Sequence, residues 1–251
     1  MSVPGKMFVD GHLGGYIQGG DLGTWCPNLW RWAVEEFRIQ SVLDLGCGEG
    51  FAARAFRDLG CRPLGIDGCA QAIRDSVAPE CVLQHDFVQG AFVAPEPIDM
   101  IWTCEFLEHV EEVYVPNILK TLSQATKVIL VTYGLPHQRN RGHHHVNCQP
   151  SSYWIERIEQ LGYVCDVART MQARTISLRD YHSINHFAQS GLVFVKQPVA
   201  PRIASLLHRI ASKMKEWRID WGFRCSWAYQ QRQWRRRMVK RGLLANRTES
   251  V

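Results

Sequence analysis

The chain has 251 residues, 46% of them hydrophobic, with a formal net charge of +5, so it can bury a full core. No run approaches the roughly 18 consecutive apolar residues that a bilayer-spanning helix requires. Nine cysteines, odd in number and never spaced Cys-x-x-Cys, argue against a disulfide or zinc framework and for reduced thiols.

In chain order, residues 1 to 10 lack the basic and apolar regions of a signal peptide, which suits a cytoplasmic protein. The glycine-rich stretch from Gly11 to Gly23, with Tyr16 and Asp21, reads as a cover over a ligand or as a surface loop, and residues 1–24 form a segment of their own. Asn28 to Phe37 is a helix, Ser41 to Leu45 a strand, Phe51 to Leu59 a helix, Pro63 to Asp67 a strand, Ala70 to Val77 a helix and Cys81 to His85 a strand. Met100 to Cys104 is a fourth strand, followed by a helix near Val113 to Gln124, a strand at Val128 to Tyr133 and a helix from Ser151 to Leu161. Tyr163 to Ala168 and Leu192 to Lys196 complete seven strands. Such alternation predicts a doubly wound α/β domain over residues 25–198: a Rossmann-like, mostly parallel sheet with helices on both faces.

Val42 to Gly50 reads Val-Leu-Asp-Leu-Gly-Cys-Gly-Glu-Gly, a strand running into glycines at 46, 48 and 50. Glycines there let the chain turn sharply into a helix and let bare backbone approach a ligand. About one βαβ unit later, Asp67 of Gly65-Ile66-Asp67-Gly68 ends the second strand, where an acid can hold both hydroxyls of a ribose.

This pair of motifs resembles the class I S-adenosylmethionine-dependent methyltransferases. The third glycine follows the second by two residues, unlike the Gly-x-Gly-x-x-Gly of hydride-transfer dinucleotide enzymes. The resemblance implies that S-adenosylmethionine (SAM) is the cofactor, with Gly46 and Gly48 facing its methionine part and Asp67 its ribose. It places Asp86 at the adenine amino group, Phe87 against the ring and Asp44 toward the amino-acid end. Cys47, Gly50, Gly68 and Cys104 complete the expected contacts. Local alternatives exist for two of the acids: Asp44 as a partner for backbone donors and Asp86 as a turn cap.

After the fourth strand comes Cys104-Glu105-Phe106-Leu107-Glu108-His109. If it enters a helix, Glu105, Glu108 and His109 share one face. Two carboxylates side by side repel unless a proton or a cation separates them, and an imidazole completes a metal site. His143-His144-His145 follows the fifth strand, whose carboxyl end opens into the same crevice; His144 points the other way in an extended segment. The Glu-x-x-Glu-His segment with a later histidine resembles two metal-using branches of the family, the small-RNA 2′-O-methyltransferases and the ubiquinone-pathway O-methyltransferases. The resemblance implies Mg2+ or Mn2+ held by Glu105, Glu108, His109 and His143 or His145. Left open beside it are His109 or His145 as an unassisted general base, with Glu108 also in the catalytic set, and a purely structural segment.

Charge sets the end of the chain apart. Residues 1–200 carry 16 Lys and Arg against 21 Asp and Glu, a net of −5, whereas residues 201–251 carry 13 against 3, a net of +10. Pro198 and Pro201 bracket the junction, so residues 199–251 read as a basic, aromatic-rich helical extension. Ile203, Leu207, Ile210, Met214 and Trp217 form an apolar helical stripe, and Trp217, Trp221, Trp227 and Trp234 precede or interleave with arginines. Three uses suit it: docking the stripe on the catalytic domain or on a second copy, lying at a membrane surface, or binding RNA.

Taken together these observations predict a SAM-dependent methyltransferase acting on the oxygen of a sugar-containing or small hydroxylated acceptor. RNA ribose 2′-O-methylation is the second reading, and a noncatalytic SAM-binding partner subunit the third. A sugar hydroxyl holds its proton tightly near neutrality, so metal or histidine assistance favours oxygen over nitrogen acceptors.

Overall fold

The computed structural model describes residues 7–8, 11–13, 16–139, 144–180, 185–197 and 210–222. Seven strands form one sheet: Ser41–Leu45 (β1), Arg62–Asp67 (β2), Val82–Gln84 (β3), Ile98–Thr103 (β4), Ala125–Val131 (β5), Tyr163–Cys165 (β6) and Leu192–Lys196 (β7). Their order is β3-β2-β1-β4-β5-β7-β6. The first five pair in parallel, and β7 runs antiparallel between β5 and β6. Helices are Pro27–Phe37 (α1), Phe51–Asp58 (α2), Ala70–Arg74 (α3), Val115–Leu122 (α4), Ser151–Glu159 (α5), Val167–Ser177 (α6), His186–Ser190 (α7) and residues 210–222 (α8). Met7–Phe8 and Tyr16–Ile17 form a separate two-residue antiparallel ladder.

All five residues of β1 are buried, because the strand lies mid-sheet with helices on both sides. Its side chains alternate between two cores. Leu43 and Leu45 enter the layer built with Ile118 and Leu122 of α4 and Ile155 and Ile158 of α5. Val42 enters the other, with Leu29 and Trp30 of α1, Phe56 of α2, Ala173 of α6 and Phe187 of α7. In that second layer Trp102 stacks on Phe187 at 5.5 Å and meets Trp30 edge-on at 5.8 Å. Truncating one such ring to alanine costs about 3–5 kcal/mol.

The expected elements are present with one correction. The segment 163–168 is not one strand: β6 stops at Cys165, and Asp166 caps α6 by accepting from the Arg169 amide at 2.9 Å. The residues that α6 buries are Thr170, Ala173, Arg174 and Ser177, which keep helical spacing without an apolar stripe. Hydrophobic periodicity therefore conceals this helix. Helix α7 is short and begins at Asn185, whose side chain accepts from the Ala188 amide.

From β1 the chain winds outward through β2 and β3, then returns to the other side of β1 with β4. The two windings diverge between β1 and β4, and the loops at their carboxyl ends part to leave a crevice. Among the described residues no helix is long and apolar enough to cross a membrane.

Candidate active site

A cavity of about 500 Å³ fills that crevice, within the size range of small-molecule sites. One half is made largely of backbone. Gly46 and Cys47 both donate to the Ile66 carbonyl, at 2.9 and 3.1 Å, which ties the glycine turn to β2. Gly46 has φ of +70°, and a Cβ there would lie 2.5 Å from the Phe106 ring. Gly48, at φ +52°, faces open space, its nearest neighbour being Tyr16 Cβ at 4.0 Å. Asp67 accepts from the Gly48 and Cys69 amides at 2.9 and 2.8 Å. Burial raises its carboxyl above the ordinary range, and those two hydrogen bonds oppose the rise.

Asp44 lies under the same turn. Its Oδ2 is buried with no hydrogen-bond partner. Burial first, and then the charge of Asp67, push its pKa up to about 7. Asp86, after β3, accepts from the Val88 amide at 2.9 Å and from His12 Nε2 at 2.9 Å, and Phe87 lies beside it on the wall. Cys47, Gly68 and Cys104 also line the cavity. Gly50 does not: it caps α2 with φ +78°, its amide bonded to the Cys47 carbonyl.

The stretch from Tyr16 to Trp25 forms the opposite wall. It is fastened by a hydrogen bond from the Gly19 amide to Glu49 at 2.7 Å and one from the Tyr16 hydroxyl to Asp75 at 2.8 Å. Leu13 packs against Gly68, where a Cβ would come within 2.4 Å of it.

The other half is made of side chains. The segment after β4 is not an α-helix. Glu105 takes φ of +55°, and only Leu107–His109 forms a single 3₁₀ turn. Glu105 therefore does not share a helical face with Glu108 and His109 and is not among the ligand atoms that cluster with them, although its carboxyl stays close to that of Glu108. It turns to His186, whose Nδ1 lies 3.3 Å away, while His186 Nε2 meets Asp21 at 2.9 Å. Burial disfavours the charged imidazole, but the hydrogen bond to Asp21 and the two flanking charges outweigh it and raise the His186 pKa. This acid–imidazole–acid bridge joins the 16–25 segment, the β4 loop and α7. Nothing around Asn185-His186 in the sequence announces it.

Glu108 is fully buried, and both its carboxylate oxygens lack a hydrogen-bond partner. Burial, reinforced by the charge of Glu105, holds its carboxyl well above the usual range. Its carbonyl accepts from the amides of Val146 and Asn147 at 3.0 and 2.9 Å, which draws the segment after β5 against this turn. That contact sets the His145 ring 5.0 Å from the His109 ring. Ligand atoms of Glu108, His109 and His145 all lie within 4.8 Å of one another. Both histidines line the cavity and Glu108 stands behind them. His143 lies outside the described residues.

The family profile described as "Methyltransferase domain" matches residues 19–245. The chain belongs to this family of class I SAM-dependent methyltransferases. Solved structures share its fold. The O-methyltransferase of a trans-AT PKS multienzyme from Brevibacillus brevis, in complex with S-adenosyl-L-homocysteine, gives a TM-score of 0.51 at 17% identity, over 76% of this chain and 77% of that one. A TehB-like SAM-dependent methyltransferase from Corynebacterium glutamicum gives 0.50 at 15% identity, over 72% and 91%. A Pyrococcus horikoshii protein matches at 19% identity and a TM-score of 0.36 over 42% of this chain, which spans 55% of that protein's length. Comparison with curated proteins finds no match.

The backbone half of the cavity suits the donor that this methyltransferase uses. Its orphaned Asp44 oxygen is an acceptor for an ammonium, the space over Gly48 admits a close approach, and Asp67 keeps lone pairs for hydroxyls.

Proposed function

We propose that the enzyme methylates a hydroxyl oxygen on a sugar-containing or other small hydroxylated acceptor. SAM supplies a methyl carbon made electrophilic by its sulfonium, so the protein has to align the acceptor and take its proton. Asp44 holds the donor ammonium, Asp67 its ribose and Asp86 the adenine edge, once His12 gives way. The 16–25 segment covers the donor, anchored by Asp21 to His186. His109 and His145 face the acceptor oxygen.

The observation that carries the reading is the convergence of Glu108, His109 and His145 beside the cavity, the two imidazoles on its wall and the carboxylate behind them. Two imidazoles and one carboxylate suit a divalent cation that accepts nitrogen ligands, Mn2+ in preference to Mg2+, and such a cation would lower the pKa of a coordinated hydroxyl. A cation would also offset the cost of burying the Glu108 carboxylate beside the charge of Glu105. An imidazole that holds a cation has no lone pair left for the acceptor's proton, which would then leave to solvent; without a cation, whichever imidazole stands nearer the oxygen accepts it.

Two measurements test this. Calorimetry with Mn2+ and chelator-treated protein is expected to show a site that Glu108→Ala removes while S-adenosylhomocysteine still binds. Labelled-methyl transfer screened over glycan, lipid-linked, phenolic and RNA pools is expected to give an acid-stable ether product. Full activity in excess chelator would remove the metal, and labelling confined to amines would remove the oxygen acceptor. Labelling of RNA at ribose would select the nucleic-acid branch of the same chemistry.

A further inference from the structure

Over its described residues, helix α8 does not dock its apolar stripe on the catalytic domain, and Ile203 and Leu207 of that stripe lie outside the described residues. The stripe of Ile210, Met214 and Trp217 points away from the catalytic domain, at 49, 62 and 63% exposure, and Trp221 continues it at 60%. The opposite face makes the contact. Ile219 is wholly buried in the core beside α5, Ser212 is buried, Glu216 accepts from the Ser151 hydroxyl at 3.2 Å, and Lys215 bonds Glu159. Gly222 lies over Met171 of α6. The helix is thereby fixed to the body with four large apolar side chains turned outward, at spacings of four, three and four residues. On a wheel of 100° per residue they fall within about 60° of one another. Lys213 and Arg218 lie to either side of them, both exposed.

We propose that this face is an interfacial surface that seats on an anionic lipid bilayer. A fixed helix with an outward apolar stripe, tryptophans on the stripe and cations at its margins satisfies each demand of the headgroup boundary. Tryptophan places its ring at that depth and keeps its N–H in a polar layer. Charge selects the lipid: residues 201–251 carry 13 cations against 3 acids, with Arg235-Arg236-Arg237 and further basic residues following the helix in sequence.

The same chemistry argues against RNA as the occupant. The Trp217 and Trp221 rings stack on each other at 5.7 Å and 11°, so each has one face covered. Ile210 and Met214 offer a nucleobase no ring at all.

Cosedimentation of the full chain with vesicles tests the proposal. Binding to vesicles of phosphatidylcholine with 30% phosphatidylglycerol is expected to exceed binding to pure phosphatidylcholine by roughly ten-fold and to weaken with salt. The triple change Met214→Ser, Trp217→Ser and Trp221→Ser is expected to lower it about ten-fold or more, since the lost area is what inserts. These positions are exposed, so donor binding by the variant verifies an intact fold. In the native chain, tryptophan emission is expected to shift to the blue on adding anionic vesicles, less so in the variant. Equal lipid binding by variant and native protein overturns the proposal, as does no binding to either vesicle. A native dimer that the triple change converts to a monomer overturns it in favour of a second copy. Retention of RNA that depends on the stripe overturns it in favour of nucleic acid.

Discussion

The two halves of the cavity are built from different materials. The donor half is made by the ends of β1, β2 and β3, so its key groups are backbone amides, glycines and acids fixed by strand geometry. The other half is made by side chains from distant parts of the chain, 105, 108–109 and 145, with the Asp21–His186 bridge tying it to the 16–25 segment and to α7. The first half belongs to a fold that serves many acceptors. On the proposed reading, the second is where a particular acceptor is chosen.

The sharpest way to separate the halves is His109→Ala. Removing a group that takes or helps take the proton is expected to lower methyl transfer by roughly 100- to 10,000-fold. Donor affinity, measured calorimetrically with S-adenosylhomocysteine, is expected to stay within about two-fold, since this imidazole packs on His145. A matching loss of donor affinity would show that the halves are one unit.

Two glycines give a symmetrical comparison. A Cβ at position 46 meets the Phe106 ring at 2.5 Å, and one at position 134 meets Glu108 Cβ at 2.6 Å. Crowding of this kind costs about 1–3 kcal/mol, and Gly46 at φ +70° adds about 1–2 kcal/mol for the left-handed backbone. Gly46→Ala is therefore expected to weaken donor binding by tens of fold. Gly134→Ala is expected to lower Mn2+ affinity and turnover while leaving donor binding in place. Thermal melts of the two variants report the shared stability cost.

This asymmetry decides how much is legible in the sequence. Gly46, Gly48 and Asp67 can be read because a strand end followed by a turn fixes their positions within a few residues. The strands alternate in chain order, so the winding is readable too. Helix α6 is hidden by the polar faces of Thr170, Arg174 and Ser177. In the acceptor half, a left-handed residue at Glu105 breaks the helical register that sequence spacing assumes. The partnership of Asp21 with His186 spans 165 residues and leaves no local pattern. The tail stripe is legible as a stripe, but spacing alone does not say which face of a helix meets the protein.

The bridge through His186 predicts a smaller effect. A hydrogen bond between charged groups contributes about 1.5–3 kcal/mol, and losing it frees the 16–25 segment at the Asp21 end. His186→Ala is expected to speed hydrogen exchange of the amides from Gly19 to Thr24 and to weaken donor binding roughly ten-fold. His186→Gln, which keeps a donor toward Asp21, is expected to recover part of both. Unchanged exchange would leave Gly19–Glu49 and Tyr16–Asp75 as sufficient anchors.

The mildest test changes only pH and concerns Asp44. Its pKa in the donor-free fold is about 7, against 3.8 for the unperturbed group. A raised carboxyl contributes stability that is complete below about pH 4 and is lost as pH climbs through 7, because ionising the buried group is unfavourable. On the proposed reading the ammonium of the donor reverses that preference, since an ammonium pairs with the carboxylate and not with the acid. Donor affinity is therefore expected to rise roughly ten-fold between pH 5.5 and 7 and to flatten above, as one proton is released on binding. Asp44→Asn is expected to abolish this slope, to bind donor weakly at every pH, and to gain in folding stability relative to the native chain as pH rises from 4 to 7. A native affinity that does not vary across this window would mean that the donor's ammonium finds its partner elsewhere, leaving Asp44 as a brace for the turn above it.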